Sequence, residues 1–346
     1  MSKRQKILFL VGSFNQTTQM HQIASHLQDE FECWFTQFFP DSLLEKWALK
    51  AGLLENTIMG EKFKKRADHY LSEHNLPIDY MGQRNEYDLA VLCSDLIVPR
   101  RLQAIKTVWV QEGMTDPVNF LTHVVRKVRV LPRYLTLNTS LNGASNLCDI
   151  YCVASEGYKE HFACMGTDPD KIVVTGMPNY DNLHRHLNND FPYRGYVLVV
   201  TSDIRETFRY ENRPAFLRKC VRIAAGRPMI FKLHPNENAE RAIREIREVV
   251  GPDALVFTDG DPYAMIANCD ELICQYSTLV YVGIILGKKV HSYFDLEHLR
   301  RLAPWQNGGT SARRIAELCR QYLAFPKKDG PAFLRSLGIN QTLSVA

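Results

Sequence analysis

The 346-residue sequence predicts an α/β protein with two βα domains in tandem, each built on a parallel sheet. Three observations carry that prediction. Short apolar runs ending in polar turns alternate with helical periods, the pattern of strands buried on both faces and joined by crossover helices. The alternation lapses in the polar stretch before Arg194 and starts afresh at Gly195, as it does at a linker. The chain is also long enough to fill two cores of ordinary size.

In order, Lys6 to Gly12 reads as a buried strand, followed by the turn Gly12 to Thr18 and a helix from about Gln19 to Gln28. Glu32 to Gln37 is a second strand. From about Ser42 to His74 the period is helical, and Leu43, Leu44, Trp47 and Leu54 recur as a core-facing set. Tyr87 to Cys93 and Lys106 to Gln111 are parallel strands with a short connection. Each ends in a polar turn carrying a carboxylate, Ser94-Asp95 after the first and Glu112-Gly113 after the second. Strand Asp149 to Ser155, helix Glu156 to Met165 and strand Lys171 to Thr175 complete the first domain, 1–186. The second, 187–325, holds strands Tyr196 to Val200, Ala254 to Thr258, Glu271 to Gln275 and Lys289 to Tyr293, besides one that ends at His234. Its helices lie near Pro214 to Gly226, Asn238 to Val250, Pro262 to Asn268 and Thr278 to Leu286. The last two helices, Ala312 to Ala324 and Pro331 to Leu337, either close the second domain or cross back to the first, and 326–346 is assigned to a C-terminal tail.

A hydrophobic content of 45% and a charged content of 23% are those of a soluble globular protein and exclude a disordered class. The longest apolar runs, Ile7 to Gly12 and Leu279 to Gly287, are too short to cross a bilayer, and Met1 to Lys6 leads straight into a strand, so a cytoplasmic protein is expected. Nine cysteines without a CxxC pair suit reduced, buried thiols better than disulfides or zinc, and no metal site is readable. A net charge of +4 gives no global field for nucleic acid. Arg126, Lys127, Arg129 and Arg133 interleave cations with aliphatics, and Glu61 to Arg66 adds a second cluster. Either is a solvated helix face or a peripheral contact with the anionic inner face of a membrane.

The stretch Pro228 to Glu237 is an apolar run ending in His-Pro and leading into an Arg/Glu-rich helix. Pro235 holds His234 extended at a strand's carboxyl end, where ligands of open α/β sheets bind, and the following helix N-terminus favours an anion. The alternative is that His234 caps the helix and meets solvent. Ser277 and Thr278 offer hydroxyl and N–H groups to phosphate, or serve as an ordinary N-cap. Arg205 follows the first strand of the second domain and stands at the edge where ligands bind, or pairs with Asp203 or Glu206. No GxGxxG follows any strand, which sets aside a dinucleotide-dependent oxidoreductase.

Four pieces in order resemble the GT-B superfamily. Val173-Val174-Thr175-Gly176-Met177-Pro178-Asn179-Tyr180-Asp181 resembles the TGxPRxD turn of surface-polymer transferases and hydrolysing UDP-GlcNAc 2-epimerases. Lys232-Leu233-His234-Pro235-Asn236 is similar to the K-x-HP element of CDP-glycerol glycerophosphotransferases and capsule transferases. Cys269 to Thr278, running into Leu286-Gly287-Lys288-Lys289-Val290, resembles their CD-hydrophobic-YSS…LGKPV element. Val108 to Gly113 stands where those transferases have a WHG turn and the epimerases a VEAG turn. The likeness covers about positions 85 to 295.

The resemblance implies GT-B architecture, with two facing Rossmann-like domains and parallel sheets. It also implies an inverting nucleotide-sugar or nucleotide-polyol-phosphate transferase of surface polysaccharide synthesis. On that reading Glu112 is the base, Asp95 the fallback, and His234 acts on the leaving group. Lys232, His234, Pro235, Asn236, Ser277, Thr278, Arg205 and Ser202 hold the CDP- or UDP-linked donor, and Ser13, Asn15 and Gly113 lie on the side of a glycan or lipid-linked acceptor. Glu112 and Asp95 can also be plain helix caps. No cofactor or metal is required by these groups. An epimerase-like enzyme using Asp95, Glu112 and His234 is one alternative. A non-catalytic GT-B-like binding protein is another, suggested by Tyr281 and Val282 where epimerases carry paired glutamates.

Overall fold

The computed structural model describes residues 4–52, 58–115, 118, 120–128, 141–206 and 210–338, save the side chains of residues 44, 48, 62 and 126. Two compact units result, one of Met1–Asp181 with Pro304–Ala346, the other of Asn182–Ala303. Each is Rossmann-like.

In the first unit, strands β1 (Lys6–Val11), β2 (Glu32–Gln37), β3 (Leu89–Leu92), β4 (Lys106–Val110), β5 (Ile150–Val153) and β6 (Ile172–Val174) form a parallel sheet in the order β2-β1-β3-β4-β5-β6. The order reverses between β1 and β3, which places a crevice beyond their carboxyl ends. Helices α1 (Phe14–Ala24), α2 (Leu43–Lys50), α3 (Glu61–Glu73), α4 (Phe120–Lys127) and α5 (Glu156–Met165) follow in the connections. Every residue of β3 and β5 is buried, which explains why these runs are apolar without alternation.

Helix α1 begins at Phe14 rather than near Gln19. Ser13 accepts from the Gln16 N–H and the Gln16 side chain accepts from the Ser13 N–H, a reciprocal cap that satisfies two orphan donors of the first turn. The expected helical region 42–74 divides into α2 and α3. Leu54 lies outside the described residues. Leu43 and Trp47, expected in the core, are 85% and 62% exposed. The space over β1 and β2 is already filled by Met20, Ile23 and Leu27 near α1, Ala67 and Leu71 of α3, and a helix from the chain's far end. An apolar stripe does not by itself say on which side the core lies.

The second unit pairs β7 (Val197–Val200), β8 (Met229–Lys232), β9 (Leu255–Phe257), β10 (Glu271–Cys274) and β11 (Lys289–His291) in the order β11-β10-β7-β8-β9, again all parallel. Its switch point lies between β7 and β10. Helices α6 (Arg213–Ala224), α7 (Ala239–Val250), α8 (Pro262–Asn268), α9 (Leu279–Ile285) and α10 (Leu296–Leu302) connect them. Phe216, Leu217 and Cys220 of α6 meet Val197, Val199, Phe231 and Ile273 from the sheet and Ile246 of α7 in one core.

The chain returns to the first unit at Pro304, inside the expected bounds 187–325 of the second domain, and the last two helices belong to the first unit. The reason is packing. Ile315, Cys319 and Tyr322 of α11 (Ser311–Ala324) and Phe333 of α12 (Gly330–Ser336) belong to the core that holds Ile7, Phe9 and Met20. Lys106 Nζ also donates to the carbonyls of Tyr322 (2.7 Å) and Leu323 (3.1 Å), neutralising the orphan acceptors and negative dipole end of α11. At the other end, Asp181 Oδ2 accepts from the Ser311 N–H at 2.7 Å. Gly176, in the same turn as Asp181, has φ +85°, and a Cβ there would lie 2.1 Å from Ser311 Oγ. Gly176→Ala is therefore expected to destabilise the protein by about 2 kcal/mol or more, read as a lowered denaturant midpoint at unchanged slope.

At the amino edge of the second sheet, Glu271 is buried under Arg227, Lys289 and His291. Burial alone pushes its carboxyl up, but hydrogen bonds from Lys289, His291 and Arg227 outweigh it and hold the group down at about 2. A depressed folded-state value means stability that is fully present above the ordinary 4.5 and is lost as pH falls from there towards 2. Glu271→Gln is expected to flatten the acid-unfolding curve across that window; an unchanged acid limb would contradict the ion cluster.

Eight of the nine cysteines are buried, only Cys164 is exposed, and all are free thiols. No helix among the described residues is long and apolar enough to cross a membrane. In the basic stretch singled out from sequence, Arg129 and Arg133 lie outside the described residues, as does the Arg126 side chain, while Lys127 ends α4 and is exposed.

Candidate functional site

In the first unit, Glu112 follows β4 and meets the N-terminus of α1. Its Oε1 accepts from Ser13 Oγ at 2.6 Å and its Oε2 from Gln16 Nε2 at 2.8 Å. Glu112 is half-buried. Desolvation pushes its carboxyl above the usual range, against the pull of the Ser13 and Gln16 hydrogen bonds. Each carboxylate oxygen has a second lone pair, so the group stays able to take a proton. The turn itself is fixed from behind. Gln111 donates to the Gly113 carbonyl at 2.9 Å and accepts from the Ala154 N–H, and Gln19 donates to the Gln111 carbonyl at 3.0 Å.

Asp95 is differently placed. It is fully buried, and its oxygens accept from the N–H groups of Gly143 and Ser145 and from Tyr151 Oη. These bonds knit the loop over β3 and β4, so the geometry gives Asp95 a structural role rather than that of an available base. Asn15 lies one turn along the same helix start and is exposed; its carbonyl accepts from Asn179 Nδ2 at 2.9 Å, and Asn179 in turn accepts from Gln22. The turn of residues 175–181 thus braces α1 and α11.

In the second unit, His234 follows β8 with Thr201 Oγ1 accepting from its N–H at 3.2 Å. His234 Nδ1 accepts from the Asn236 N–H at 3.2 Å. That bond puts the proton of the neutral imidazole on Nε2, and the ring is about a third exposed, so the Nε2–H is the donor it offers. Asn236 Nδ2 donates to Asp203 Oδ2 at 3.1 Å, and Pro235 is exposed in the turn. Helix α7 starts at Ala239, capped by the Asn238 side chain on the Arg241 N–H, and Glu206 accepts from the Asn238 N–H. The helix end expected to face an anion therefore already has an acidic partner. Ser277 Oγ accepts from the Leu279 N–H at 3.3 Å, while Thr278 precedes α9 without a side-chain cap.

Three expected donor contacts are spoken for within the protein. Lys232 is buried, and its ammonium donates to the carbonyls of Leu233 and Thr258, both at 2.9 Å; burial lowers its pKa. Arg205 forms a bidentate pair with Glu245, both bonds 2.8 Å. Ser202 is buried and donates to the Tyr276 carbonyl at 3.3 Å.

Beneath His234 lies a charged network that the sequence does not reveal. Arg213 is buried, donating to Glu211 at 3.0 Å and to Glu237. Glu237 also accepts from Thr201 Oγ1, the atom that holds the His234 N–H. Glu211 accepts from Gln275 Nε2 at 2.7 Å, which ties the carboxyl end of β10 into the same set. The carboxyl ends of β7, β8 and β10 are thereby locked together at the switch point. Among the described residues, no cluster of His, Cys, Asp and Glu has the makings of a metal site.

No protein-family profile matches the chain. No curated protein matches it in sequence. Solved structures do match in fold. A putative UDP-N-acetylglucosamine 2-epimerase from Listeria monocytogenes is 13% identical with a TM-score of 0.56, over 94% of this chain and 98% of that one. The UDP-GlcNAc 2-epimerase from Neisseria meningitidis, solved with UDP-GlcNAc bound, is 12% identical with a TM-score of 0.54, over 91% and 100%. The wall teichoic acid polymerase TagF is 12% identical with a TM-score of 0.51, over 92% and 89%. The chain has the fold of the GT-B group, two Rossmann-like units on parallel sheets.

Proposed function

We propose that this protein is an inverting transferase that uses a nucleotide-linked sugar or polyol phosphate and passes it to a glycan or lipid-linked acceptor of a surface polysaccharide. The observation that carries the reading is Glu112, a half-buried carboxylate at a strand's carboxyl end, raised in pKa and aimed by Ser13 and Gln16. A carboxylate held above its ordinary range is a stronger base for the removal of an acceptor hydroxyl proton. The acceptor oxygen then attacks the donor, the bond to the leaving nucleotide phosphate breaks, and that phosphate keeps the electron pair. In the second unit, the His234 Nε2–H supplies a donor for its charge. In the epimerase alternative Asp95 takes part in acid–base chemistry, but it is fully buried and three hydrogen bonds tie it to the loop it organises.

The test is thermal stability with CDP, CMP, UDP, UMP, GDP and ADP. A nucleotide at about a hundred times its dissociation constant is expected to add about 2.7 kcal/mol, and His234→Ala to reduce that gain. If none of the six stabilises the protein, the donor assignment fails. A shift that survives His234→Ala removes His234 from the phosphate site.

A further inference from the structure

We propose that α2 is an interfacial helix that seats the protein on an anionic bilayer surface. Leu43, Lys46, Trp47 and Lys50 recur at i, i+3, i+4 and i+7, so they form one stripe along the helix. All four are exposed, and none of the described side chains of α2 is buried. A helix of this length is well short of the roughly 12–15 residues that hold together alone in water. The reciprocal cap between Ser42 and Glu45 secures only its first turn. A leucine and a tryptophan side by side in water on one helix stripe mark a surface meant to be covered.

The two lysines specify the cover. Interleaved with Leu43 and Trp47, they lay their methylene stems along the apolar side chains and carry their ammoniums outward by the length of a side chain. That profile matches a bilayer surface, where acyl chains take up leucine, the indole sits at head-group depth with its N–H wet, and anionic head groups meet the lysines. A purely apolar protein groove would leave both ammoniums desolvated and unpaired. Lys65 and Arg66 of α3 add further exposed cations to the same unit.

Co-sedimentation with phosphatidylcholine vesicles, with and without phosphatidylglycerol, reads this directly. The full chain is expected to pellet with the anionic vesicles and not with the neutral ones. Lys46→Glu/Lys50→Glu should weaken that binding about tenfold or more, and Leu43→Ser/Trp47→Ser should abolish it, with melting curves unchanged in each. Phe120→Ser, on exposed α4, is expected to bind like the parent. Bromolipid quenching of Trp47 fluorescence gives the depth of insertion. The proposal is overturned by failure to pellet, by equal binding of the α2 variants, by loss in Phe120→Ser alone, or by a dimer in solution that Trp47→Ser dissociates. Vesicle binding needs neither donor nor acceptor, so its failure and failure of the transferase reading are separate results.

Discussion

Glu112→Gln is expected to cut turnover by about a hundred- to ten-thousandfold, the usual worth of one positioned base, and to raise thermal stability in the same molecule. The two effects share a cause. Desolvation raises the Glu112 carboxyl in the folded state, so the ionised form disfavours folding above the unfolded-state value, and that cost is relieved as pH falls through the raised one. Glutamine keeps acceptor and size without the charge. The acid limb of the pH–rate profile should stand above the ordinary carboxylate range. Ser13→Ala, which removes a donor to the ionised form, should move it higher still. Near-normal turnover in Glu112→Gln would sink the base assignment, and a loss of activity together with a loss of stability would mark Glu112 as a structural cap.

Arg213→Met is expected to destabilise the protein by about 3 kcal/mol, because buried Glu237 loses its close guanidinium and keeps only that of Arg205, 3.9 Å away, while Glu211 keeps Arg205 at 3.2 Å. Glu237→Met should cost a comparable amount. The double replacement should cost clearly less than the sum, since an apolar pair avoids both desolvation penalties. Additive losses, measured by denaturant unfolding, would show that the two side chains do not depend on each other. The network reaches the candidate site through Thr201, whose hydroxyl binds Glu237 and holds the His234 N–H. Nucleotide stabilisation should therefore fall in Arg213→Met even at temperatures where the protein stays folded.

The parts legible in sequence were those in which local pattern and global fold agree. Apolar runs such as Leu89–Leu92 announce strands whichever way the sheet is assembled, and carboxylates in the turns after them fall at the ligand edge by topology alone. Glu112 and His234, which follow β4 and β8, were placed at strand ends that way. Ser13-x-x-Gln16 was a readable cap that would have moved α1 to its true start and disclosed the Glu112 partner. Glu211, Arg213, Glu237 and Gln275 were not readable, because each sits among polar neighbours and looks like solvated surface until the fold brings them together. Lys232 and Arg205 look like phosphate ligands for the same reason, their carbonyl and Glu245 partners being distant in the chain. Leu43 and Trp47 failed in the opposite direction, as a helical stripe that points away from its core.

The return of the chain at Pro304 makes the second unit an insertion within the first. On a ribosome, Asn182–Ala303 is complete while the first sheet still lacks α11 and α12, whose Ile315, Tyr322 and Phe333 belong to its core. At about 5–20 residues per second, that half-built sheet waits on the order of ten seconds for its last helices. The unit that begins the chain is thus the last to finish folding, and truncations before Ser311 should yield a folded second unit joined to an open first one.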